Sequence, residues 1–189
     1  SLVGSEMCIR DRAWLSNLQN LFFSLPEDDI KAIYDSCSEL WAEMETSEIL
    51  VMGGTGFVGK WLVASLGYAQ LAGHDINITV LSRNPKSYLE EFSNEAFKVS
   101  WLENDVSKSS GLNIERYKYI VNAATPSSAK TGAIHPSYVY NSIVCGNLSI
   151  LNSSHHPELR YVFLSSGAVA VLEKSEPLFD RKKCHTYHL

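Results

Sequence analysis

The 189-residue sequence predicts an α/β fold, a doubly wound parallel sheet preceded by a helical segment. Two observations carry that prediction. From Ser47 onward, short apolar runs of strand character alternate with stretches at helical spacing. Continuous apolar runs of this kind mark strands covered on both faces. The first run leads directly into a glycine-rich turn, Gly53-Gly54-Thr55-Gly56-Phe57-Val58-Gly59, and that turn leads directly into a helix.

The elements follow in order. Residues 24–45 predict one helix. Ser24-Leu25-Pro26-Glu27 reads as a capping box with Pro in the first turn. Ile30, Ile33, Tyr34, Cys37, Leu40, Trp41 and Met44 then share a face. That stripe must bury, and the domain that follows is its simplest partner. Trp14, Leu15, Leu18, Leu21 and Phe22 predict a shorter helix upstream. Strands are expected at 49–52, 76–82, 97–102, 119–123 and 161–164, and helices at 60–71 and 136–153.

Both ends are unusual. Residues 1–12, SLVGSEMCIRDR, lack the apolar stretch of a secretory signal and resemble a translated sequencing-adapter read-through or a disordered tail. They are set aside from the fold. The final RKKCHTYHL has no helix or strand punctuation, so the sheet domain reads as C-terminally truncated. The expected organisation is a tail over 1–12, a helical extension over 13–46 and an incomplete dinucleotide-binding domain over 47–189.

Composition narrows the function. The hydrophobic share of 45% supports a core, which excludes disorder as a description of the whole. The net charge of −5 argues against non-specific binding to nucleic acid or to an anionic membrane. No apolar run reaches the roughly 18 residues of a membrane span. Cys8, Cys37, Cys145 and Cys184 form no C-x-x-C pair, which points away from zinc and toward a reducing, cytoplasmic setting. His155-His156 has no thiolate or carboxylate partner at ligand spacing and reads as a helix-end pair before Pro157; no metal site is expected. His135, before Pro136, reads as a helix-start loop residue.

The glycine turn carries the chemistry. Gly53, Gly56 and Gly59 are spaced G-x-x-G-x-x-G between a strand and a helix. A pyrophosphate must approach backbone N–H groups at a helix N-terminus, and a Cβ would stand in its way. The last glycine lets the helix pack close to the strand.

Further motifs follow in order: Asp105-Val106 after the third strand, Asn122-Ala123-Ala124 after the fourth, Asn141 and Gly146 as N-x-x-x-x-G on the next helix, and Ser165-Ser166-Gly167-Ala168-Val169 after the fifth. Together with the glycine turn they resemble the extended short-chain dehydrogenase/reductase family, of the NAD-dependent epimerase/dehydratase, nucleotide-sugar type. The resemblance spans roughly residues 49–169 and implies a Rossmann-like fold. It implies cofactor contacts from Gly53, Thr55, Gly56, Phe57, Val58, Gly59, Asp105, Val106, Asn122, Ala123 and Ala124, with Asp105 holding the adenine. It makes Ser166 the catalytic serine, donating to a substrate oxygen as a carbonyl forms. It also implies a nucleotide-sugar substrate and a homodimeric parent, paired through helices that include 136–153.

The match stops at the proton-transfer pair. The family's base is Tyr-x-x-x-Lys, and no such pair follows Ser166. Tyr138 precedes the serine and has Ser142 where the Lys belongs, and Ala170 stands in place of the usual Tyr of V-Y-G. The chain therefore reads as a fragment, inactive as given, of an NAD(P)-dependent sugar-nucleotide epimerase or dehydratase. Two alternatives stay open: an NADPH-dependent carbonyl reductase of the same fold, and a non-catalytic NAD(P)-binding protein. In dinucleotide folds an acid about 20 residues past the glycines binds the ribose 2′-hydroxyl of NAD. Here Leu81-Ser82-Arg83-Asn84 has no acid, and Arg83 tilts the expectation toward NADP.

Overall fold

The computed structural model describes residues 25–86, 97–108, 112–125 and 134–165. The helix expected at 14–22 and the segment containing Ser166 lie outside them. In chain order the elements are α1 (Glu27–Ser36), α2 (Ser38–Glu43), β1 (Glu48–Met52), α3 (Phe57–Leu71), β2 (Asn77–Ser82), β3 (Val99–Glu103), a 3-10 turn (Val106–Lys108), β4 (Tyr119–Asn122), α4 (Pro136–Tyr140), a π-helical turn (Asn141–Cys145), α5 (Gly146–Ser153) and β5 (Arg160–Phe163). The strands form one parallel sheet in the order β3-β2-β1-β4-β5. The chain winds outward from β1 through β2 to β3, then returns to the other side of β1 for β4 and β5. The fold is the expected doubly wound α/β sheet, and its direction reverses between β1 and β4.

Strand β1 shows why the sequence reads as a continuous apolar run. Ile49 and Val51 join one buried cluster with α1, α2 and α3, whereas Leu50 and Met52 join another with Val106, Ile120 and Ile150. Each face of the sheet thus has its own core, and alternate residues of one strand supply both.

Helix α3 lies between the sheet and the N-terminal helices. Val63, Ala64, Leu66, Tyr68 and Ala69 are all buried, in a cluster that also holds Ile30 and Trp41. A helix apolar on most sides is stable only when covered on more than one. Tyr34 of α1 meets the Tyr68 ring at 5.1 Å and stacks on Trp41 at 5.7 Å.

Two expectations about helices need correction. The helix expected over 24–45 is two helices, broken at Cys37, which sits at φ −114°, ψ 24°. The Trp41 indole N–H donates to the Tyr34 carbonyl at 2.8 Å, and the Cys37 N–H donates to the same oxygen. These bonds hold the break, and both halves keep their apolar side inward. Nor does the expected capping box form the start: Pro26 is the N-cap, so Glu27 occupies the first helical position and not the third. Glu27, Asp28 and Asp29 all fall in the first turn, where carboxylates complement the helix dipole.

The helix expected over 136–153 runs the whole way but contains a π turn at Asn141–Cys145. Its end at Ser153 leaves His155 and His156 outside it. His156 accepts the Glu158 N–H through Nδ1 in the following turn, at 3.1 Å. His135 is the N-cap position of α4, as expected.

Candidate functional site

A cleft of about 150 Å³ opens where the sheet reverses direction. It is lined by Gly53, Thr55 and Gly56 from the turn after β1, by Leu81, Ser82 and Arg83 at the end of β2, and by Asn104, Asp105 and Val106 after β3. Ala123, Ala124 and Thr125 after β4, with Tyr138 and Ser142 from the helical rod, close it. This is the rim outside the carboxyl ends of the strands, where open α/β sheets bind ligands.

The turn is built by close backbone approach. Gly53 has φ +77°, and a Cβ there would lie 2.7 Å from the Ala124 Cα. Gly59 is buried, and a Cβ on it would fall 2.1 Å from the Gly53 carbonyl oxygen. Gly56 differs. It is exposed and has an ordinary extended backbone at φ −75°, ψ 173°. A Cβ on it would meet only the Gly53 oxygen, at 3.3 Å, so the fold makes a weak demand for glycine there. Gly56 is also the N-cap of α3, and no side chain caps that end. The first N–H groups of a helix have no intrahelical acceptor.

On the far wall, Asp105 Oδ1 accepts the Ser107 N–H at 2.9 Å and the Ser107 hydroxyl at 2.8 Å. Asp105 therefore fixes the start of the 3-10 turn while still lining the cleft. Gly146 lets the helical rod reach that turn, since a Cβ on it would be 2.7 Å from the Val106 Cγ1. Among the described residues no group of His, Cys, Asp and Glu is placed to hold a metal ion.

Asn122 lies behind the cleft. It is 2% exposed, and its Oδ1 accepts the Ala124 N–H at 3.0 Å. Its Nδ2 donates to Asn147 Oδ1 at 2.9 Å and to the Tyr161 hydroxyl at 3.2 Å. The Tyr161 hydroxyl also donates to Asn147 Oδ1, and Asn147 Nδ2 donates to the Ile143 carbonyl inside the π turn. Burial pushes the Tyr161 phenol pKa up, with the Asn122 bond opposing. A satisfied buried network of this kind fixes geometry. Here it fixes the backbone of Ala124 against Gly53.

Of the residues singled out in the sequence, the structure brings Gly53, Thr55, Gly56, Arg83, Asp105, Val106, Ala123 and Ala124 to one cleft. Phe57, Val58, Gly59 and Asn122 are not in its lining, though Phe57 and Val58 are exposed at the start of α3. Ser166 lies outside the described residues. Sequence reasoning missed Tyr138 and Ser142 as lining residues, because their place there depends on how the rod crosses the sheet. It also missed Asn147 and Tyr161, whose partners are distant in the chain.

Fold and cleft together define a Rossmann-like α/β protein with an open cleft at its switch point. The family model described as the NAD dependent epimerase/dehydratase family matches residues 49–188, and the chain belongs to that family. Among solved structures, Epimerase Mth375 from Methanothermobacter thermautotrophicus is similar at 20% identity and a TM-score of 0.59, over 76% of this chain and 42% of that one. Pen from Bacillus thuringiensis is similar at 20% identity and a TM-score of 0.56, over 66% and 39%. WbmF from Bordetella bronchiseptica, solved with NAD+ and UDP, is similar at 17% identity and a TM-score of 0.53, over 71% and 41%. At these identities the likeness is one of fold, and the chain spans about two fifths of the length of these proteins. No curated protein matches the chain closely enough to count as a relative.

Proposed function

We propose that this chain is the dinucleotide-binding part of an NAD(P)-dependent epimerase or dehydratase acting on a nucleotide-activated sugar. Family membership supports the reaction class, and the structure's similarity to WbmF, solved with NAD+ and UDP, supports a nucleotide-bearing substrate. The observation that carries the cofactor reading is Gly56. Its backbone needs no glycine, yet a side chain there would project from an uncapped helix N-terminus at the cleft.

The residues present fit the group. The N–H groups of the turn and of the first turn of α3 would hold the pyrophosphate, with the α3 dipole behind them. Asp105 would accept from the adenine amino group through Oδ2, since Oδ1 is occupied by Ser107. Val106, Ala123 and Ala124 would wall the rings, with Asn122 fixing Ala124 from behind. Phe57, Val58 and Gly59 contribute backbone and shape. When bound, the dinucleotide supplies reversible hydride chemistry at a sugar carbon. By the family resemblance, Ser166 would donate its hydroxyl to the sugar oxygen and steady the charge that develops there.

The test is calorimetric titration of the chain with NAD+ and NADPH, on the natural sequence and on Gly56→Val. Wild type binds, and the variant weakens binding by at least about tenfold while still melting cooperatively, with only the modest loss that replacing an N-cap glycine costs. Equal binding by both chains would remove the support that Gly56 gives. For the reaction, the full-length gene product is incubated with UDP-sugars. An altered sugar with no net change in nicotinamide redox state identifies internal redox chemistry, whereas net consumption of NADPH identifies a reductase.

A further inference from the structure

The cleft contains one side-chain contact that the family reading does not use. Arg83 Nη1, at the end of β2, donates to the Tyr138 hydroxyl of α4 at 2.7 Å, across 55 residues of sequence. Both residues line the cleft. We propose that Tyr138 is a positioning residue that fixes Arg83 as a reader of the adenosine 2′-phosphate, so that the site prefers NADPH to NADH. The inference rests on the reading of the cleft as a dinucleotide site, and it adds which form is taken and how.

Three features carry it. First, the segment at the end of β2 carries no acidic group of the kind that recognises a free ribose 2′-hydroxyl. Ser82 stands at the strand end, where its hydroxyl accepts the Asn84 N–H at 3.4 Å. Ser82 to Lys86 contain two cations and no anion. A carboxylate in this segment would bind the 2′-hydroxyl and repel a phosphate. Second, Arg83 is exposed, and among the described residues no carboxylate pairs with it. An exposed arginine with no anchor samples many rotamers, and ordering it on a ligand costs conformational entropy.

Third, the anchor is a phenol. A carboxylate at position 138 would orient the guanidinium and also neutralise it. The Tyr138 hydroxyl orients it through one of five N–H donors and leaves its charge intact. The anchor is itself held. The Ser142 hydroxyl, buried at the π turn, donates to the Tyr138 carbonyl at 2.9 Å and sets the local course of the rod. The pair therefore spans from the end of β2 to the rod, with a fixed cation at the rim.

The experiment is titration of the whole chain with NADPH and with NADH at low and high salt, for wild type, Tyr138→Phe and Arg83→Ser. Wild type is expected to bind NADPH at least about tenfold more tightly than NADH at low salt, as a charge-assisted phosphate contact implies. Raising the salt should shrink that ratio. Tyr138→Phe keeps the ring and removes only the anchoring oxygen, and should cut the ratio to about threefold or less; Arg83→Ser should abolish it. A merely structural role for Tyr138 would weaken both dinucleotides together and leave the ratio unchanged, which overturns the inference. Equal binding of the two by wild type overturns it as well, while leaving the dinucleotide site intact. Failure of wild type to bind either removes the site reading and the inference with it.

Discussion

At Gly53 a left-handed backbone and the approach of Ala124 require the missing side chain, and at Gly59 contact with the Gly53 carbonyl does. At Gly56 the fold itself makes only a weak demand. The three positions therefore respond differently to substitution. Gly59→Ala is expected to cost about 2 kcal/mol or more, because both groups it strikes are backbone and cannot rotate away. The check is a chemical-denaturation midpoint. Gly56→Ala should move that midpoint less, by about 1 kcal/mol, as expected for an N-cap glycine replaced by alanine. The spacing of the glycines, and their place between a strand and a helix, were legible in the sequence. The division of labour among them was not, because it depends on the folded path of the turn and on the backbone of Ala123 and Ala124 after β4. The same holds for Arg83. Its charge was legible, whereas its hydroxyl partner lies 55 residues away in sequence with no spacing rule to connect them.

The helical rod over residues 136–153 was legible as helix from its apolar positions, but its π turn was not. The extra residue in the turn comes with a polar network and leaves no periodic trace. Gly146 donates its N–H to the Asn141 carbonyl five residues back, and Asn147 reaches both Ile143 and Asn122. Asn147→Ala strands donors on Asn122 and Tyr161, and should lower stability by about 2 kcal/mol in a denaturant melt. A second polar group joins Tyr34 of α1 and the turn after α2 to the entry of β2. His74 Nδ1 lies 2.6 Å from Glu45 Oε1, Tyr34 Oη lies 3.1 Å from His74 Nε2, and the Asp75 N–H donates to Glu45 Oε2 at 3.0 Å. The His74 bond and then the Asp75 N–H hold the Glu45 carboxyl below its ordinary value of 4.5. A depressed carboxyl pKa stabilises the fold above the unfolded value, and that contribution is lost as pH falls through the folded one. Glu45→Gln should therefore melt below wild type at pH 7, and the gap should close on acidification to about pH 3, followed by circular dichroism.

The N-terminal helices and the sheet share one core. Ile30 and Trp41 are buried in the same cluster as Ile49, Val51 and Val80, and Glu43 pairs with Arg160 at the start of β5 at 2.5 Å. Trp41→Ala is expected to cost about 3–5 kcal/mol and to destabilise the sheet along with the extension. A single cooperative melt would show it. Sequence periodicity disclosed that the stripe on these helices had to bury. It did not disclose that α3 would serve as the shared surface. Among the described residues no helix is long and apolar enough to cross a membrane. The rod instead presents Tyr140 and Leu148 to solvent. We expect the full-length protein to pair through this face, and Leu148→Glu to shift it from dimer to monomer in light scattering.

The position of α3 between the sheet and the N-terminal helices also bears on the order of assembly. Its contacts with α1 lie close in sequence, whereas the pairing of β1 with β4 must wait for the chain to travel to β3 and return. Contacts of low sequence separation close loops at smaller entropic cost and form faster. During synthesis, α1, α2, β1 and α3 would then condense as an early unit while the strands that complete the cleft are still being made. Pulse-labelled amide exchange would show α3 protected ahead of β4, so that the glycine turn stands before the segment after β4 that closes the cleft arrives.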